Sequence, residues 1–121
     1  MHRSLLLLAF VCFATSAAMA QDPVKVDPQH YKVIFENDQV RVLKIHYGPH
    51  EKSVMHIHPD AVVVYKGDSH MKMTTPDGKS VEATGKAGES EWTPAGTHLP
   101  ENMTDKPVDA VLVELKTKPA H

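Results

Sequence analysis

Two histidines in Met55-His56-Ile57-His58-Pro59-Asp60 carry the strongest chemical signal in this 121-residue chain. Side chains two apart on a β-strand point to the same face, so His56 and His58 present two imidazoles to one point in space. Further along, Thr93-Pro94-Ala95-Gly96-Thr97-His98 offers another imidazole. His98 would complete a facial set of three nitrogen donors suited to a divalent transition metal such as Fe, Mn, Ni, Cu or Zn. The H-x-H spacing alone is weak, because a strand end beside a proline turn is also an ordinary place for solvent-facing histidines. Convergence of the three rings depends on the elements that position His56, His58 and His98.

Those elements read as short strands. Tyr31 to Glu36 and Val40 to Tyr47 are rich in β-branched and aromatic residues, and Asn37-Asp38 between them signals a turn, which predicts a hairpin. Ala61 to Tyr65 is a continuous apolar run, broken by Gly67-Asp68. Ser69 to Thr75 alternates, with Met71 and Met73 on one face against His70, Lys72 and Thr74 on the other. Pro76-Asp77-Gly78 turns the chain into Lys79 to Ala83. Gly85 and Gly88 flank another turn before Ser90 to Thr93, and Pro94-Ala95-Gly96 leads into the strand carrying His98. After Thr104-Asp105-Lys106-Pro107, Val108 to Leu115 alternates again. Turn signals about every ten residues, with no helical segment between strands, predict an all-β sandwich or barrel.

The N-terminus belongs to a different category. Met1-His2-Arg3 is a basic start, Leu5 to Phe13 is an apolar stretch too short to span a bilayer, and Ala18-Met19-Ala20 is a small-x-small cleavage signal. Residues 1–20 are expected to be a cleavable signal peptide, which implies a periplasmic or secreted protein with no stable membrane association after cleavage. A lipid anchor would need small residues before Cys12, where Phe10-Val11 stand instead. Cleavage removes the sole cysteine, so the exported domain has neither disulfide nor thiol chemistry and must rest on core packing. Without Arg3 the thirteen Lys and Arg become twelve, against fifteen Asp and Glu. That mildly acidic balance, without basic runs, excludes nucleic acid as an expected partner. Residues 21–30 are expected to be a flexible or edge-packing lead-in, and residues 31–118 a single domain.

Gly48, His56-x-His58 and Gly67 resemble the first motif of the cupins, and Gly88-x5-Pro94-x-Gly96-x-His98-x3-Asn102 resembles the second. The resemblance spans Tyr31 to about Lys116 and implies a jelly-roll β-barrel with a metal held by His56, His58 and His98. It also implies that a homodimer is common. The chain departs from the family at the Glu that cupins usually place four or five residues after the second His, because Val62 and Val63 stand there. Three explanations are open: a neutral three-His site, a carboxylate supplied by Asp60, which shares strand parity with His56 and His58, or a barrel without metal.

The remaining chemistry is sparse. His46 shares parity with Lys44 and is expected to face solvent, while His50 and His70 are expected at solvated turns or edges; His30 and His121, near the termini, are given no role. Methionines 55, 71, 73 and 103 are expected chiefly as core filler, with a pocket for small ligands as the alternative. Asn102 is expected to fix local backbone. No nucleophile elbow, phosphate loop or paired-cysteine zinc motif is present, and Glu91, His70 and Tyr65 are undifferentiated acid–base candidates, leaving catalytic residues unassigned. Three classes of function fit: an enzyme acting on a small oxygen-bearing molecule at the metal, dioxygenase- or isomerase-like, a binding protein for a small ligand or metal without turnover, or a metal-free barrel with a structural or interaction role.

Overall fold

The structure, a computed structural model, describes residues 21–117. The expected signal peptide, residue 118 and His121 lie outside the described residues. The described chain opens with a helical turn, α1 (Pro23–Val26), followed by β1 (Tyr31–Glu36), β2 (Val40–Tyr47), β3 (His56–His58) and β4 (Ala61–Tyr65). It continues through β5 (Ser69–Thr74), β6 (Ser80–Gly85), β7 (Ser90–Thr93), β8 (Gly96–Asn102) and β9 (Val108–Leu115). The strands form two antiparallel sheets, ordered β1-β2-β9-β4-β7 and β3-β8-β5-β6. This all-β arrangement has the form of a jelly roll.

Alternation decides what is buried. In β9 the residues Val108, Ala110, Leu112 and Glu114 face inward, and in β4 Ala61, Val63 and Tyr65 do so. They meet Leu43, Tyr31 and Tyr47 from the hairpin and Met71 from the opposite sheet in one core. The predicted β1–β2 hairpin forms, with a register shift between Val33 and Phe35. At Gly85 the backbone passes close to the core: a Cβ there would stand 2.3 Å from the Tyr65 ring. A larger residue would therefore displace an inner-wall side chain.

The lead-in differs from a free segment. Asp22 caps α1 by accepting from the Val24 N–H at 3.0 Å, and Pro23 occupies the first turn, where its missing N–H costs nothing. A single turn has little stability of its own. Here it is fixed from outside: Pro23, Asp27 and His30 are buried, and the carbonyl of Gln21 accepts from the Ile57 N–H at 3.1 Å. No apolar period marks this turn in the sequence, because its anchors are polar.

Candidate metal centre

β3 and β8 pair in a register that sets His56 directly opposite His98 and His58 opposite Gly96. Directly opposed residues share a face, so all three imidazoles meet inside the barrel. Their ring centroids lie 4.7 Å (His56 to His58), 5.1 Å (His56 to His98) and 5.2 Å (His58 to His98) apart. One nitrogen from each ring lies within 4.8 Å of the others. Ile57, between the two histidines of β3, points outward and is about half exposed.

Hydrogen bonds fix which nitrogen of His56 and of His58 faces inward. The Nδ1 of His56 lies 2.9 Å from the Val54 carbonyl, which only accepts, so Nδ1 carries the proton. The Nδ1 of His58 donates to Glu114 Oε2 at 2.9 Å. In the neutral ring, a proton on Nδ1 leaves the lone pair on Nε2. The Nε2 atoms of His56 and His98 are buried and have no hydrogen-bond partner among the described residues. Buried polar atoms are nearly always paired, and an orphaned lone pair costs about 1–3 kcal/mol. Orphaned imidazole nitrogens that converge in this way are the donor set of a first-row transition ion.

The local field keeps these rings in the ligating form. Burial, with smaller repulsion from His58 and His98, pushes the His56 imidazole down to about 3. Burial and His58 push His98 down to about 4. Neither ring must lose a proton near neutral pH before it binds a cation.

Two polar chains hold His56 and His58 from behind. Glu114, 2% exposed, accepts from His58 through Oε2 and from Arg41 Nε at 2.7 Å through Oε1. Arg41 then forks onto Asp22, with bonds of 2.6 and 2.9 Å. Burial acts to raise the Glu114 carboxyl, but the bonds from His58 and Arg41 outweigh it and hold it below the usual range. On the His56 side, Ser53 Oγ lies 3.3 Å from Nδ1 and donates to Asp27 at 2.5 Å. Asp27 also bonds His30 Nδ1 at 2.7 Å, and His30 Nε2 lies 2.8 Å from Glu51.

The missing family Glu finds its explanation in strand parity. Val62 faces outward, whereas Val63 is buried and lines the cavity beside the site, so an apolar wall stands where the carboxylate would be. Asp60 does not replace it, because its Oδ1 accepts from the Ala95 N–H at 2.7 Å and holds the turn before β8. Three imidazole nitrogens remain as the donor set among the described residues.

The other histidines lie elsewhere. His46 faces out against Asp109 at 2.7 Å, His50 pairs with Asp105 at 2.5 Å, and His70 stands 3.4 Å from Glu82. His30, given no role from sequence, is 3% exposed and belongs to the support of His56. Asn102 is fully buried and ties Gly48, Thr104 and Lys106 together, as expected for a residue fixing backbone. Sequence reasoning missed Glu114, Arg41, Asp22, Asp27 and Ser53. A signal for Glu114 existed: it shares parity with Ala110 and Leu112, so an acid ends the core face of an apolar strand.

A cavity of about 490 Å³ opens beside the cluster, with His58 and His98 in its wall. Val63, Met71, Met73 and Leu112 supply apolar surface, so the methionines serve as both core and lining. Among the described residues no Lys or Arg lines it. At another part of the wall the Tyr65 hydroxyl donates to Glu91 at 3.2 Å, and burial together with the Glu91 carboxylate pushes it up to about 12.

These features define a class: a small jelly-roll barrel with a buried three-His cluster beside an apolar cavity. Comparison with solved structures agrees with it. A cupin domain from Bordetella pertussis Tohama I is 29% identical, with a TM-score of 0.66, over 72% of this chain and 92% of that one. An RmlC-like cupin with a double-stranded β-helix fold from Methanocaldococcus jannaschii is 15% identical at a TM-score of 0.56, covering 70% and 77%. A cupin-2 domain protein from Shewanella frigidimarina NCIMB 400 is 22% identical at 0.50, covering 73% and 83%. The chain is a small protein of the cupin superfamily. No family model and no curated protein sequence matches it.

Proposed function

We propose that this protein is an exported cupin that holds one divalent transition metal through His56, His58 and His98 and uses it on a small oxygen-bearing molecule in the adjoining cavity. The observation that carries the reading is the convergence of buried, unpartnered imidazole nitrogens. The ion, held by His56, His58 and His98, would supply Lewis acidity beside the cavity.

The chain's own residues define the rest. His58 and His98 reach the cavity wall, so a ligand's donor oxygen points toward them while its apolar body rests on Val63, Met71 and Leu112. A volume of about 490 Å³ suits a small organic molecule. The absence of Lys and Arg from the lining disfavours phosphorylated or multiply anionic substrates, whose buried charge would lack a counter-ion. Tyr65, held protonated by burial and Glu91, is a neutral hydrogen-bond partner for a ligand. Export rests on the sequence features of residues 1–20.

Elemental analysis of protein purified without a metal-affinity column tests the reading. About one equivalent of a transition metal in the wild type, absent from His98→Ala, supports it. No metal in either, even after reconstitution, would establish a barrel without metal.

A further inference from the structure

β3 is a short platform for two ligands. It has three residues, β8 pairs with one of its edges, and the other edge is closed by the Gln21 carbonyl bonded to the Ile57 N–H. An imidazole's second torsion is soft, so a ring with nothing on its outer nitrogen does not keep the aim that a metal requires. Both rings of β3 have that nitrogen tied: His58 to Glu114 at 2.9 Å, and His56 to the Val54 carbonyl at 2.9 Å with a longer contact of 3.3 Å to Ser53 Oγ, and the Glu114 and Ser53 contacts lead on to the segment before β1. From His58 the path runs through Glu114 and Arg41 to the two carboxylate oxygens of Asp22. From His56 it runs through Ser53 to Asp27, which His30 buttresses. Asp22 and Asp27 bracket α1, so one helical turn anchors both paths.

We propose that residues 21–30 are part of the metal centre, holding His56 and His58 in their ligating orientation through two hydrogen-bonded chains that begin at Asp22 and Asp27. The inference rests on the metal reading above and goes beyond it, because it assigns metal affinity to residues that touch no metal. Asp22 and Asp27 act as positioning residues. The arrangement also accounts for the burial of polar groups in this segment. Asp27 is 7% and His30 3% exposed, and satisfied polar groups at such depth serve orientation more than stability.

The test uses Co²⁺ as the probe with full-length mature protein. Asp22→Ser keeps a helix-capping hydroxyl but removes the fork that holds Arg41. Co²⁺ affinity, measured by competition with a chelator, is expected to fall about tenfold, and the visible absorption of the saturated protein to shift. Asp22→Glu, which keeps a carboxylate for Arg41, is expected to recover most of both. Lys25→Ala, on the same turn but outside both chains, is expected to change neither. Ser53→Ala tests the His56 path independently, with the same two readouts. A merely structural role would lower the melting temperature and leave the saturated Co²⁺ spectrum unchanged. Wild-type affinity and spectrum in both Asp22→Ser and Ser53→Ala would overturn the proposal while leaving the metal site standing. Wild-type protein that takes up no Co²⁺ would overturn the metal reading, and this inference with it.

Discussion

Two groups of histidines in this small barrel share a residue type and little else. His46 and His50 lie on the outside, 51% and 61% exposed, each within hydrogen-bond distance of an exposed aspartate. His56, His58 and His98 lie inside, and the nitrogens that converge there face one another instead of a carboxylate. Outside, water satisfies whatever the aspartate leaves free. Inside, the Nε2 atoms of His56 and His98 are buried and have no hydrogen-bond partner among the described residues, which leaves their lone pairs free for a cation. What separates the inner histidines from the others here is convergence: His70 Nε2 is also buried without a hydrogen-bond partner, but among the described residues only His56, His58 and His98 bring their nitrogens within 4.8 Å of one another.

The comparison breaks most decisively at the ligands. Replacing His56 and His58 together by Ala is expected to abolish metal uptake. Replacing His46 and His50 together is expected to leave the metal content of the wild type. Elemental analysis of both double variants, with circular dichroism as the fold control, decides the matter. Metal retained after loss of His56 and His58 would refute the assignment.

The second test moves one bond outward, to the carboxylates behind the histidines. Glu114→Gln keeps the shape but removes the charge that both His58 and Arg41 face. Metal affinity is expected to drop about 10- to 100-fold, the usual cost of losing a group that orients a ligand. Asp109→Asn, the matching change behind His46, is expected to leave affinity unchanged and to cost under about 1 kcal/mol in stability, as exposed pairs do. Isothermal titration with a divalent ion and urea unfolding measure the two. Equal effects from the two substitutions would erase the distinction between the groups.

The legibility of these parts in the sequence follows from their physics. Strand period is written in residue types, so Tyr31–Glu36, Val40–Tyr47 and Val108–Leu115 were legible to the residue. The clustered histidines were legible because two of them sit i, i+2 on one strand and the third follows a turn signature, Pro94-Ala95-Gly96. The support was not legible. Asp22, Arg41 and Glu114 are far apart in sequence, and only the β2–β9 pairing, which sets Arg41 opposite Glu114, and the docked lead-in bring them together. Residues 21–30 carry Pro and Asp, which in isolation signal a solvated segment. Burial of paired charges inverts that signal, and pairing is a tertiary property.

The smallest expected effect lies at the outer end of the His58 support and is read through pH. The guanidinium of Arg41 donates to Asp22, against a smaller opposing effect of burial, and holds its carboxyl below the usual 3.8. The unfolded chain lacks this partner, so between the folded value and 3.8 it binds more protons than the native state. Stability therefore rises with pH through that window. The contribution of Asp22 is fully present above the unfolded value and is lost as pH falls through the folded one. Asp22→Asn is expected to lower stability at neutral pH by about 1 kcal/mol, the scale of a forked pair that water partly screens. Its unfolding curve is expected to converge on that of the wild type below the folded value. The comparison with the outer group sharpens here: Asp105, 94% exposed beside His50, is expected to cost less stability than Asp22 when replaced by Asn, as exposed pairs do. Urea midpoints of the two variants across acid pH measure the difference, and equal losses for both would mean that the fork between Arg41 and Asp22 is no tighter in solution than a surface ion pair.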